Sequence, residues 1–501
     1  MHLVKKTLGF YFLYVFIFQP IIAFPAHAQM TSTDNSKKSN DLVERMRRVE
    51  NGLIPPFRIK GEKVEKWNIA ERMKHYKVPG LSVAVINNGV VEWAKGYGER
   101  EAGTNLPVTT ETLFQAASIS KPVAATVALK MVEDKKLSLD EDVNNKLVSW
   151  KVPENEFTKE KKVTLRALLS HTAGTSVSGF PGYAATVKTL PTVVEILDGT
   201  PPANTKPVRV EAPIGKEMNY SGGGITIIQQ LLTDVSKKSF PALANETVLN
   251  KVGMKNSTYE QPLPQRLQSQ AAAAHNDKGE MITGRWHAYP EMAAAGLWTT
   301  PTDLARFAVE LQQAYKGVNG KFLAPETVRQ MFIEQIGGWG LGVGLSGKGE
   351  AARFTHGGSN EGYRCTLVTY KENGKGAVIM TNSDNGDALV NEVLRSIAAE
   401  YEWTDFLAPE KTVVKLYPKI FDAYTGKYQF GTAGQFSVSS ENGKLFLRLG
   451  TEKKYELFAE SETHFFVKEM PLLVSFVKDS TGRVTEMINI YNGQEYRLKK
   501  V

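Results

Sequence analysis

One cysteine, Cys365, occurs in 501 residues. No intramolecular disulfide can form and no zinc-type cysteine cluster exists. Cys365 is expected to be a small buried hydrophobe. Metal-ligand spacings of His, Asp and Glu are missing, as is a glycine-rich phosphate loop, so no metal and no cofactor are expected. There is no G-x-S-x-G elbow to seat a serine nucleophile of the α/β-hydrolase kind, although a Ser-His-Asp triad through Ser221 or Ser359 is conceivable. Beyond the N-terminus no run reaches the ~20 apolar residues that span a bilayer. The formal charge of +8 is spread through mixed-sign runs such as Lys159-Glu160-Lys161-Lys162. Without a basic stripe interleaved with aromatics, nucleic acid is not an expected partner.

What is present starts with length. A chain of this size, 42% apolar, exceeds one small core and suggests two domains. Lys5 and Lys6 precede an apolar run from Leu8 to Ala23, and Ala26-His-Ala28 follows. A basic start, a short apolar core and Ala-x-Ala predict a signal peptide over 1–28, cleaved after Ala28. The mature protein is therefore expected in the periplasm or outside the cell, with no membrane span after cleavage. Residues 29–60, polar and rich in Lys and Arg, read as a leader and linker.

A first domain is expected over 61–405. It opens with a helix at about 62–76. Leu81–Ile86 and Val90–Ala94 flank Asn87-Asn88-Gly89, a hairpin signal. Thr164 is an expected N-cap for 165–170, and 171–215 reads as a long loop. Helices are expected over 225–235, 302–315 and 387–403, and a second hairpin joins 366–370 to 376–381. Gly337-Gly-Trp-Gly-Leu-Gly-Val-Gly-Leu reads as a glycine-alternating strand. Over 410–501 the texture changes to short alternating runs, seven in number from Gly426 to Ile490, which predict a small up-and-down β-barrel or curved sheet.

The chemistry is expected where Ser118 and Lys121 open an apolar helical run ending near Asp134. Residues three apart share a helix face, so hydroxyl and amine can meet. Pro122 suits the first turn. A second Ser-x-x-Lys, Ser475 to Lys478, lies in an apparent strand, where residues three apart face opposite sides. Tyr220-Ser-Gly222 stands between a Gly/Pro-rich loop and a helix. His356-Gly-Gly358 lies on or beside a strand, where glycine lets a ligand approach the backbone. His171 follows a short helix and reads as a structural hydrogen-bonding residue.

Ser118-Ile-Ser-Lys121, then Tyr220-Ser-Gly222, then His356-Gly-Gly358, in that order, resembles the serine β-lactamase and penicillin-binding protein superfamily. The likeness leans to its class C-like serine hydrolases: esterases, D-aminopeptidases and alkaline D-peptidases. Leu168-Leu-Ser-His-Thr-Ala-Gly174 and Ala293-Ala-Ala-Gly-Leu-Trp-Thr-Thr-Pro-Thr-Asp-Leu-Ala305 support it over roughly 60–403. The tail resembles the lipocalin-like domains of some D-peptide hydrolases of this group. The resemblance implies an α+β fold: an antiparallel sheet flanked by helices, an all-helical subdomain, and a C-terminal lipocalin-like barrel.

It also implies roles. Ser118 attacks a carbonyl and forms an acyl-enzyme. Lys121 and Tyr220 share the proton work, as a coupled pair in which either can be the base. The N–H groups of Ser118 and Ser359 form the oxyanion hole. His356 and Gly358 bound the pocket, with His356 donating a hydrogen bond and changing charge near neutral pH. Two positions depart from the β-lactamase pattern. Gly222 stands where an Asn usually contacts the acylamino side chain, and His356 where a Lys usually stands, as in the D-aminopeptidase branch. The expected substrate is thus a small amide or ester: a D-amino-acid peptide, an ester or a β-lactam. A β-lactamase proper, or a penicillin-binding or sensor protein with little turnover, are the alternatives. Oligomeric state is not legible in the sequence.

Overall fold

The computed structural model describes residues 32–501 apart from 319, 321, 431–433, 451–453 and 492–493; the expected signal peptide lies outside the described residues. The chain divides into two compact units, Met1–Met46 and Arg47–Val501. The stretch expected as leader and linker includes a 19-residue helix, Ser32–Glu50. Leu42, Met46 and Val49 recur at helical spacing there, a period that the surrounding charges obscure. Among the described residues no helix is long and apolar enough to cross a membrane.

The first helix of the main unit, α1 (Ile69–Tyr76), starts later than expected because Asn68 caps it, with Glu71 completing a capping box. Strands β1 (Gly80–Asn87) and β2 (Val90–Gly98) follow, turning through Asn88 and Gly89 with left-handed backbone at both (φ 51° and 72°). That is the conformation Asn-Gly favours in a tight hairpin. With β3 (Gly344–Ser346), β4 (Arg353–Asn360), β5 (Tyr363–Tyr370) and β6 (Gly376–Thr381) they form a six-stranded antiparallel sheet. Its order is β2-β1-β6-β5-β4-β3. The central strand β6 is buried along its whole length, as a strand covered on both faces must be.

Two of four longer helices do the covering. The four are α2 (Ser120–Glu133), α3 (Gly222–Ser236), α4 (Pro301–Tyr315) and α5 (Gly386–Glu400). Helices α4 and α5 pack on the sheet, whereas α2 packs among α3 and the short helix Met292–Ala295. Ten of the first eleven residues of α2 are buried, in line with its apolar circumference. The expected loop 171–215 contains a further helix, Val193–Asp198, opened by a capping box between Thr192 and Glu195. Thr192-x-x-Glu195 is a readable signal for it. The run 337–345 is not a strand. Gly337, Gly338 and Gly342 all take left-handed backbone, Trp339 makes only isolated bridges within the turn, and the end of the run pairs in β3.

The C-terminal strands close into an eight-stranded antiparallel barrel. They are β7 (Gly426–Phe430), β8 (Gly434–Glu441), β9 (Lys444–Leu449), β10 (Lys454–Ala459), β11 (His464–Val467), β12 (Leu472–Lys478), β13 (Val484–Tyr491) and β14 (Gln494–Lys500). Strand β14 is missing from the expected set because its outward residues are charged and only Tyr496 and Leu498 carry the apolar period. It closes the barrel by pairing with both β13 and β7. The barrel is tied to the sheet domain by a short parallel pairing of Arg58–Ile59 with Glu410–Lys411. Phe57 packs edge-on against Phe466 at 5.4 Å beside it, and Lys468 pairs with Glu62 at 2.6 Å.

Candidate active site

A two-residue strand, Phe114–Gln115, pairs with Trp298–Thr299 and delivers the chain to Ala117. Ala117 takes a left-handed backbone (φ 49°), a conformation costly for a residue with a Cβ and found mostly where geometry is dictated by function. The next turn, Ala117–Ile119, is a 3-10 turn that leads into α2. Ser118 therefore sits one turn ahead of the α-helix proper. It is the one residue of 112–129 that is not buried.

Lys121, 2% exposed, donates to Ser118 Oγ at 3.0 Å and to the Ala294 carbonyl at 2.8 Å. That carbonyl is held in place from three sides. Gln229 accepts from Ala293 N–H, Asn360 donates to the Ala295 carbonyl, and Ser120 Oγ accepts from Leu297 N–H. The stretch 293–305, noted for its resemblance, thus supplies the second acceptor for Lys121. The ring of Tyr220 lies 5.0 Å from Lys121 Nζ. Tyr220 is positioned by its neighbour Ser221, which caps α3 through Gly224 N–H and donates to the Ser176 carbonyl. Ser221 is buried and committed to this capping, which removes it as a nucleophile.

His171 is closer to the site than its sequence setting implies. Its ring is 4.5 Å from Tyr220 and 5.0 Å from Trp339. Its Nδ1 accepts from Ser221 N–H, so the proton is on Nε2. The structural role expected of it takes the form of a brace behind Tyr220. Burial, with the charge of Lys121 nearby, holds its imidazole well below the usual histidine range.

His356 differs from expectation in two respects. It is buried, and that burial, reinforced by Lys121, pushes its pKa down to about 3, so it stays neutral across the neutral range. Its Nδ1 lies 2.6 Å from the Gly357 carbonyl, which can only accept. The proton is therefore on Nδ1, and Nε2 remains as a buried acceptor without a protein partner.

The two glycines after it have different reasons to be glycine. A Cβ on Gly358 would meet the Ala116 carbonyl oxygen at 2.3 Å and Cys365 Sγ at 2.4 Å, whereas one on Gly357 would meet nothing nearer than 3.9 Å. Gly358 thus lets β4 lie against the turn that carries Ser118, and Gly357 leaves open space. Cys365 is buried, its thiol donating to the Ala116 carbonyl at 3.1 Å, and burial raises its pKa far above the usual thiol range.

Ser118, Tyr220, His356, Gly358 and Ser359 line one cleft of about 480 Å³, with Lys121 beneath Ser118. Gly222 lies outside that lining. It starts α3 under Phe180, whose ring a Cβ would meet at 2.8 Å. Further wall comes from the sheet strands, from Trp339 and from Asp387, Val390 and Asn391 on α5; among the described residues none of 171–215 or of the tail lines it. Trp339 was legible only as part of a glycine-rich run. The α5 residues carried no signal, because their helix reads as an ordinary amphipathic one. Among the described residues no group of His, Cys, Asp and Glu is arranged to hold a metal ion.

The arrangement can do nucleophilic chemistry. A hydroxyl is exposed at the floor of a cleft, an amine contacts it, a phenol ring lies beside the amine, and a strand edge faces the hydroxyl.

The sequence profile of the beta-lactamase family matches residues 67–401. A domain of unknown function (DUF3471) matches residues 410–500. Penicillin-binding protein 4* of Bacillus subtilis is 24% identical over 424 residues, covering 79% of this chain and 89% of that protein. A beta-lactamase of Lysobacter lactamgenus is 28% identical over 261 residues, 50% of this chain and 60% of that protein. Among solved structures, the octameric penicillin-binding protein homologue from Pyrococcus abyssi superimposes with a TM-score of 0.59 at 22% identity, covering 86% of this chain and 98% of that one.

Proposed function

From the premise that the chain belongs to the beta-lactamase family, as a serine hydrolase of that superfamily, we propose that it cleaves a small ester or amide through an acyl-enzyme on Ser118. The observation that carries this reading is the placement of Lys121 Nζ, 3.0 Å from Ser118 Oγ and anchored at 2.8 Å on the Ala294 carbonyl. In this mechanism the proton of Ser118 leaves through the Lys121–Tyr220 pair, which acts as one unit. The acyl oxygen is received by the backbone N–H groups of Ser118 and Ser359, each such donor being worth about 3–4 kcal/mol. The same pair then protonates the leaving group and activates the deacylating water.

The electrostatics of the cleft favour a neutral ester or a D-aminoacyl amide over a β-lactam. A β-lactam brings a carboxylate that a fixed cation at the third motif would pair. Here that position is held by His356, kept neutral by burial. Its open Nε2 instead accepts a hydrogen bond from a substrate N–H or O–H. The signal peptide expected over 1–28 would place this activity outside the cytoplasm.

The test is a hydrolysis screen of p-nitrophenyl acyl esters, D-amino-acid p-nitroanilides and nitrocefin, with Ser118→Ala as control. Esters or D-aminoacyl anilides turn over faster than nitrocefin, and Ser118→Ala loses turnover and fluorophosphonate labelling. Labelling retained in that variant refutes the nucleophile; nitrocefin as the best substrate refutes the substrate class.

A further inference from the structure

The interior of the C-terminal barrel is divided into two unequal halves. Toward one end it is filled: Tyr424 stacks on Phe476 at 4.5 Å, Phe465 meets both edge-on, and Tyr428 closes against them. Toward the other end the filling stops. Phe430, Phe436, Leu447, Met470 and Leu472 surround a cavity of about 290 Å³, close to the share of ten water molecules in the liquid at about 30 Å³ each. An eight-stranded barrel has room for either a side-chain core or one small ligand, and this one has half of each.

Besides three tyrosines, Tyr455, Tyr491 and Tyr496, the lining holds one amide side chain. Asn489 faces inward on β13, in register between Val474 of β12 and Tyr496 of β14. It is 3% exposed, and its Oδ1 has no hydrogen-bond partner. A buried amide oxygen left unmatched weakens a fold, and a leucine there would pack at no such cost. Asn489 makes sense if something else donates to it.

We propose that the barrel is itself a binding site, enclosing one small neutral apolar molecule, aromatic or short-chain, whose single N–H or O–H donates to Asn489 Oδ1. The mouth supports this use. Tyr455, Met470 and Tyr491 line both the cavity and a cleft between the barrel and the sheet domain. The far wall of that cleft includes Arg72 on α1 and Asn391 on α5, and Asn391 also lines the Ser118 cleft. An occupant therefore enters from the face shared with the hydrolase domain. None of this depends on any role assigned to Ser118.

The test uses the full chain and N-phenyl-1-naphthylamine, an apolar fluorophore with one N–H, beside 1-phenylnaphthalene, which has none. The native protein gives saturable, single-site fluorescence enhancement with the amine. Asn489→Leu weakens the amine about tenfold, the worth of one hydrogen bond at the upper end of its range. It leaves 1-phenylnaphthalene no weaker, and it raises the melting temperature of the ligand-free protein. Leu447→Trp fills the cavity and abolishes binding of both; if circular dichroism shows that variant unfolded, Phe436→Trp takes its place. Fluorophosphonate labelling of Ser118 leaves amine binding unchanged. Absence of saturable binding to the native chain overturns the proposal. So does equal binding by the filled variant, equal weakening of both fluorophores by Asn489→Leu, or displacement by Ser118 labelling.

Discussion

Replacing Gly358 by alanine tests whether β4 must touch the Ser118 turn for the site to work. The added Cβ would stand 2.3 Å from the Ala116 carbonyl oxygen, about 1.1 Å short of the 3.4 Å at which contact becomes ordinary. Cys365 Sγ blocks retreat on the other side at 2.4 Å. Both neighbours are rigid, one a backbone carbonyl and the other a buried thiol on the adjacent strand. Overpacking of this kind costs about 1–3 kcal/mol. A displacement of about 1 Å between nucleophile and oxyanion donors costs about 100-fold in rate. Gly357→Ala is the matched control, since its Cβ meets nothing nearer than 3.9 Å and neither glycine has left-handed backbone. The assay is the second-order rate of fluorophosphonate labelling, with thermal melting by circular dichroism on the same samples. Gly358→Ala should label about two orders of magnitude more slowly and melt several degrees lower, while Gly357→Ala should stay within about threefold of native. Native-like labelling and melting of Gly358→Ala would refute the reasoning, as would equal damage from Gly357→Ala.

Two further predictions concern buried titratable groups, and they have opposite signs. His356 is held near 3 against an ordinary 6.5, so below 6.5 the unfolded chain binds the proton that the folded one refuses. Its contribution to stability is whole above 6.5 and falls with pH down to about 3, by roughly 5 kcal/mol at most. His356→Gln should therefore flatten the decline of Tm between pH 6.5 and 4; an unchanged slope counts against the burial argument. Glu291 is fully buried, neither carboxylate oxygen has a hydrogen-bond partner, and burial raises its pKa to about 8 from an ordinary 4.5. The folded chain holds that proton longer than the unfolded one, so its contribution is whole below 4.5 and is lost as pH rises through about 8. The Tm of Glu291→Gln relative to native should climb from pH 4.5 to 8; a constant gap would show that the carboxyl is not held protonated.

Local chemistry was legible wherever the interaction spans a few residues. The Asn88-Gly89 turn, the Thr164 cap and the Ser118–Lys121 spacing depend on neighbours within one turn, and sequence displays those directly. Alternation likewise announced seven of the eight barrel strands. Where charge hid the period, in Ser32–Glu50 and in β14, the element was missed although its apolar spacing is present. The 337–345 run misled because alternating glycine imitates a strand period while left-handed glycines bend the chain into turns.

The sequence by itself determined most of the elements, the order of the three motifs and the pairing of the Ser118 hydroxyl with the Lys121 amine. Only the tertiary structure decided what surrounds them. The second acceptor for Lys121 lies 173 positions away, at Ala294. Gly358 is glycine because of Ala116, not because of a ligand. His356 is neutral because the fold buries it, beside Lys121. Asn489 faces an unfilled space. Each of these is a contact between segments far apart in the chain, set by strand register and helix packing, and one sequence carries no periodic trace of either.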